Sequence, residues 1–130
     1  MEIISNITVI RSVESLHLDS MEWMSEIEFF GKEAEHFQKM LNRKIKEIHS
    51  KQKLNMLQQL QQKLKLYLYK LLPEYIQKIG QYEQMLYLSY SQINQERKKY
   101  NDLHISYTKD LKKFEGSFLQ FRKEVFDFLK

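Results

Sequence analysis

Along most of this chain, apolar residues recur at alternating steps of four and three. That spacing keeps them on one side of an α-helix. The first such line is Trp23, Ile27, Phe30, Ala34, Phe37, Leu41, Ile45 and Ile48. Asp19 and Glu22 stand where a capping box places its acidic N-cap and its glutamate, with Leu18 and Trp23 positioned as a hydrophobic staple. Acids crowd the first turns and Arg43, Lys44 and Lys46 the last, as the helix macrodipole favours. The pattern predicts a helix over about 20–49.

A second line runs through Leu57, Leu64, Leu68, Leu71, Tyr75, Ile79, Tyr82 and Leu86, with Gln61 interrupting it. Pro73, the only proline, falls inside. It lacks a backbone donor and crowds the preceding turn, so it must kink or end a helix. The apolar register continues across it, and Leu72 is a poor cap. The expectation is one kinked helix over about 52–88. The third line is the most regular: Tyr107, Leu111, Phe114, Phe118, Phe121, Val125 and Phe128. Extended backward it meets Leu103 and Tyr100, then Glu96 and Ile93, so its start falls between about 92 and 102.

The turn between the first two helices is placed near His49-Ser50-Lys51-Gln52. Short connections make neighbouring helices antiparallel. An all-α fold follows: an elongated, antiparallel, up-down-up three-helix bundle with coiled-coil-like packing. Four helices are the alternative if the chain breaks at Pro73. Residues 19–130 are read as a single helical-bundle domain. Residues 1–18, rich in β-branched side chains without helical order, are read as an N-terminal arm.

Composition narrows the chemistry. The chain has 130 residues and no cysteine, which excludes disulfides, cysteine-ligated zinc and cysteine nucleophiles. Three glycines and one proline are too few for a loop-rich sandwich. No apolar run approaches the roughly 18–20 residues of a membrane span. The start, Met1-Glu2-Ile3-Ile4, lacks the basic opening of a secretory signal. A cytoplasmic protein with no membrane contact is expected.

Charge is unevenly placed. From Glu14 to Glu35 there are seven acids against one base; from Lys39 to Lys53, six bases against one acid. The two stretches are expected to face each other once the chain folds back. The net charge of +4 is modest. Arg43, Lys44 and Lys46, and Arg97, Lys98 and Lys99 beside Tyr90 and Tyr100, are the places where phosphate or bases would bind. A solvated face explains them equally well, and the pattern matches no nucleic-acid fold, so nucleic acid is not the expected partner.

One Glu-x-x-His motif exists, Glu33 and His36. Di-iron bundles use two such motifs and two further glutamates. No second motif accompanies it, and both residues flank the apolar line instead of lying on it. They are candidate metal ligands only, and no cofactor is expected. His17, His49 and His104 stand isolated, and no serine–histidine–acid pattern or phosphate loop appears. No enzyme activity is indicated.

The segment Leu64-Lys65-Leu66-Tyr67-Leu68-Tyr69-Lys70-Leu71-Leu72 is apolar on nearly every face, as is Met85-Leu86-Tyr87-Leu88. A bundle buries one stripe per helix, and surplus apolar surface containing tyrosine is typical of an interface. Leu66, Tyr69, Leu72 and Tyr87 are the candidate interface residues.

Trp23-x-x-Glu26-Ile27-x-Phe29-Phe30-x-Lys32-Glu33 and Phe114-Glu115-x-x-Phe118-x-x-Phe121-Arg122-x-Glu124-x-x-x-Phe128-Leu129 resemble the first and last helices of a family of small bacterial all-helical proteins. The resemblance spans about two-thirds of the chain and implies three helices. That family has no established activity, so no catalytic residues come with it. The expected function is therefore non-enzymatic contact with a protein partner or with a second copy as a homodimer. A metal-binding bundle and a weak nucleic-acid binder are the alternatives.

Overall fold

The computed structural model describes residues 12–88 and 93–130, and only the backbone of residues 88 and 93–97. Every element among the described residues is helical. Helix α1 spans Val13–Lys44 and runs into a short 3₁₀ turn, Ile45–Glu47. Helix α2 spans Lys51–Leu66 and passes through a π-helical turn, Tyr67–Leu71, into α3, Leu72–Leu88. Helix α4 spans Ile93–Leu129.

The expected N-cap at Asp19 is not used. Helix α1 begins earlier, because the Ser12 hydroxyl accepts the Ser15 N–H at 3.2 Å and satisfies a donor of the first turn. Leu18 is exposed and forms no staple over the helix start. The seam that starts at Trp23 in the sequence continues back through Ser20 and Leu16, both buried. Residues 13–18 therefore belong to the helix; residues 1–11 of the expected arm lie outside the described residues. At the other end, the 3₁₀ turn rotates Ile45 out to solvent while Ile48 still packs on the core. Ser50 then caps α2, accepting from the Lys53 N–H.

Helical backbone continues through Pro73, and the disturbance it causes lies upstream. In a regular α-helix the Tyr69 carbonyl would await the N–H that Pro73 lacks, with the ring crowding that same group. A π turn relieves both problems. The Leu72 N–H donates to the Tyr67 carbonyl five residues back, which widens the helix just before the proline. The buried positions slip with it. They run Leu57, Leu60, Leu64, Tyr67, then jump five to Leu72, then continue through Ile79, Tyr82 and Leu86. Leu68 and Leu71, expected on the seam, are only half-buried.

The core is an aromatic ladder between α1 and α4, closed by α2 and α3. Phe30 stacks on Phe118 with ring centroids 4.4 Å apart, and Tyr67 meets Phe118 edge-on at 5.2 Å. Tyr75 lies 4.4 Å from Phe114. Offset and edge-to-face pairs of this kind add about 0.5–1.5 kcal/mol each beyond burial.

Cross-helix hydrogen bonds give the order of packing. Asn42 meets Gln61 and Ser20 meets Glu83, so numbers on α1 fall as those on α2 and α3 rise. Lys63 meets Glu124, Tyr67 meets Ser117 and Tyr75 meets Asp110, so α4 likewise opposes α2 and α3. Asp19–His104 and Glu33–Arg122 rise together. One consequence corrects an expectation from charge. The acidic stretch 14–35 lies beside the π turn and α3, whereas the basic stretch 39–53 passes from the end of α1 into α2, so they do not face each other.

Carboxylates between helices carry opposite pH signatures. Burial and the facing Glu115 raise the Glu26 carboxyl above its ordinary range. At Asp110, burial alone would raise the carboxyl, but hydrogen bonds from Lys78 and Tyr75 and the charges of Lys78 and Lys113 outweigh it and hold the group low. Burial and the bond to Asp110 push the Tyr75 hydroxyl up to about 12. A raised acid pKa favours the folded state only while the group is protonated, so the Glu26 contribution is lost as pH rises. At neutral pH the pair is repulsive. Glu26→Gln is expected to stabilise the protein by a few tenths of a kcal/mol after solvent screening. Thermal melts at neutral pH and near pH 4 check this, because the gain vanishes at the lower value.

Candidate functional site

Two features stand out once the helices are in place: a buried polar cluster near one end and an apolar outer face along α2 and α3. Building the first starts with His104. On α4, His104, Leu111, Phe118 and Val125 recur every seven residues, so His104 occupies a core position. It is 2% exposed. Its Nδ1 lies 2.6 Å from the Tyr82 hydroxyl and its Nε2 lies 3.0 Å from Asp19 Oδ2. A carboxylate only accepts, so Nε2–H donates to Asp19; with the ring neutral, Nδ1 then accepts from the Tyr82 O–H. The Trp23 ring stacks on the imidazole at 4.6 Å. Asn101, one turn earlier on α4, is also buried.

One turn away on α1, Ser20 is fully buried, and its hydroxyl lies within hydrogen-bond reach of both the His17 carbonyl and Glu83, which share its single proton. The second Glu83 oxygen lies 2.6 Å from His17 Nδ1. Side chains from α1, α3 and α4 thus satisfy one another across the ends of three helices. Chemically the cluster is a lock. Buried hydrogen bonds among uniquely placed partners select one register, because a slipped helix would strand them. Beside it opens a cavity of about 210 Å³, whose lining includes Val13, Glu14, Leu86 and Tyr87.

The outer face is the second feature. Leu66 is 47% exposed, Tyr69 69%, Ile76 40% and Tyr87 82%. Ile76 and Tyr87 are separated by eleven residues, a spacing that returns to one side of a helix; Tyr69 lies in the π turn itself, with Leu66 one turn before it. Leu72, expected among the interface residues, is instead 3% exposed. The five-residue jump at the π turn carries it into the core.

The remaining sequence candidates are dispersed. Glu33 pairs with Arg122, whose guanidinium lies over the Phe30 and Phe118 rings, and His36 is exposed. Among the described residues, no group of three or more His, Cys, Asp or Glu side chains stands together as metal ligands do. Arg43 and Lys46 are exposed, and Lys44 pairs with Glu47 at 2.9 Å. Lys98 and Lys99 are exposed near the opposite end of the molecule, while the Arg97 side chain and Tyr90 lie outside the described residues. The structure does not bring the two basic groups into one patch. No described helix is long and apolar enough to cross a membrane.

His104 and Ser20 are what sequence reasoning missed. Counting back by sevens from Val125 reaches His104, and counting back from Ile27 reaches Ser20. The apolar line takes Leu103 beside His104 and begins at Trp23, one turn after Ser20. No family model, curated protein or solved structure matches this chain.

Proposed function

We propose that this chain is an up-down-up three-helix bundle, α2 and α3 forming its middle arm, that acts by protein contact and not by catalysis. The opposed hydrogen-bond directions between neighbouring helices support the topology. The observation that carries the function is the exposed line Tyr69, Ile76 and Tyr87, with Leu66, on the outside of the middle arm. Exposed aromatic side chains gathered along one arm are costly to leave in water and effective as anchors. The polar cluster supports the non-catalytic part of the reading. Ser20 is 0% and His104 2% exposed, and each is engaged by other side chains of the chain, which suits a structural lock.

A photo-crosslinking residue at Tyr69 tests the reading in the cells that make the protein. Adducts are expected at Tyr69 and Tyr87 and not at Ser106, which is exposed on α4. Equal labelling at all three positions, or none at any, would sink the reading.

A further inference from the structure

The partner follows from charges that the fold leaves apart. This inference rests on the contact reading above and specifies it. On α1, Glu14, Met21, Glu28 and Glu35 recur every seven residues and form one exposed line. The same line continues, eleven residues on from Glu28, at Lys39, and the 3₁₀ turn that follows α1 carries Lys46, also exposed. It therefore changes sign partway along, acidic over 14–35 and basic over 39–46. The cavity beside the polar cluster is lined by both Glu14 and Tyr87, which places this line next to the apolar face of the middle arm. At the basic end the neighbour is α2, with Lys53 and Lys65 exposed and no acid between residues 48 and 73.

Two acids of α1 that turn toward α4 are engaged there, Asp19 by His104 and Glu33 by Arg122. Glu28, Glu35, Lys39 and Lys46 form no ion pair among the described residues. A face that is acidic at one end, basic at the other and apolar along its middle arm is complementary to itself turned end for end. That is the requirement of an isologous two-fold contact.

We propose that this face pairs with a second copy of the chain in antiparallel register, forming a homodimer. The register is specific. With the two-fold axis beside Phe37, Glu35 lies across from Lys39 of the second copy and Glu28 across from Lys46 of the second copy. Asn42 on α1 is hydrogen-bonded to Gln61, so the axis also crosses the middle arm a little further along, near Leu66 and Tyr69. Those two apolar side chains then meet their own counterparts at the centre, where water is excluded best. A face about 45 Å long and roughly 15 Å wide offers about 700 Å² per copy, just under the ~800 Å² per partner of standard interfaces. A reversible dimer with salt-sensitive affinity follows.

Sedimentation equilibrium of the full chain, over a concentration series at low and at high salt, tests the pairing. A monomer–dimer equilibrium is expected, with affinity falling on the order of tenfold at high salt. Tyr69→Glu should abolish the dimer while leaving helicity by circular dichroism unchanged. Two charge-reversed variants add the decisive arm: Glu28→Lys with Glu35→Lys, and Lys39→Glu with Lys46→Glu. Each alone should be monomeric, and an equimolar mixture of the two should form a heterodimer. A wild-type chain that stays monomeric at every concentration and salt overturns the proposal. So does a dimer indifferent to both charge reversals. If the chain is monomeric but Tyr69 still crosslinks in cells to a protein of different mass, the self-pairing is wrong and the contact reading stands. If Tyr69 crosslinks nothing, both fall.

Discussion

Truncating Phe118 to alanine should destabilise the protein by about 3–5 kcal/mol, the cost of emptying a large aromatic site in a packed core. Phe118 is 0% exposed and lies where all the packed layers converge. Its ring is 4.4 Å from Phe30 on α1, 5.2 Å from Tyr67 in the π turn, and 6.3 and 6.5 Å from Phe121 and Phe114 on its own helix. The Arg122 guanidinium lies 6.0 Å away, over the ring face. These groups are held by backbone from three separate helical segments, so the site cannot easily collapse to fill the void. Against the roughly 5–15 kcal/mol of a typical domain, the loss is a large fraction of the total. Urea unfolding, read as a change in midpoint at constant slope, measures it. A cost below about 1 kcal/mol would mean the ladder is not packed as described.

The second large effect is expected at His104. Its replacement by alanine removes a buried ring stacked on Trp23 and takes hydrogen-bonding groups away from Tyr82 and Asp19. Tyr82 is 1% exposed and its hydroxyl cannot easily turn to water, whereas the Asp19 side chain is a third exposed and can. The cavity and the disturbed tyrosine together should cost about 2–4 kcal/mol. Asp19→Asn keeps an acceptor and should cost less than half as much. If His104→Ala and Asp19→Asn prove equal in urea unfolding, the tyrosine bond and the stacking contribute nothing and the lock is misread.

Much of this architecture is legible in the spacing of apolar residues, because a helix that packs along its length must repeat its buried positions. The line from Ile27 to Leu41 and the line from Leu111 to Val125 are buried as their periodicity implies, with Trp23 partly buried at its start. What escaped has a physical reason in each case. Ser12 and Asp19 can both cap a helix, and the choice was made by Leu16 and Ser20 continuing the buried seam beyond Asp19. The π turn escaped because the segment around it is apolar on nearly every side. A register that slips by one residue still meets a leucine, and Leu72 exchanges roles with Leu68 and Leu71. His104 escaped because apolar periodicity cannot register a polar residue at a core position; only its partners, distant in sequence, explain it. The charges escaped for a reason of length. Helix α1 carries both signs on one straight element, and no fold of the chain can bring one element back onto itself.

The π turn has a further consequence, for the time course of opening. A regular helix protects its amides from solvent exchange as a cooperative ladder, each bond held by its neighbours. At Tyr67–Leu71 that ladder changes pitch, and immediately afterwards Pro73 offers no amide at all. The middle arm is continuous in shape but divided in protection. Residues 51–66 and 72–88 can lose their hydrogen bonds in separate events, and the joint between them lies directly beneath Leu66 and Tyr69. Whatever settles on that surface closes over the seam between two exchange units, so deuterium uptake there would slow first when the face is covered.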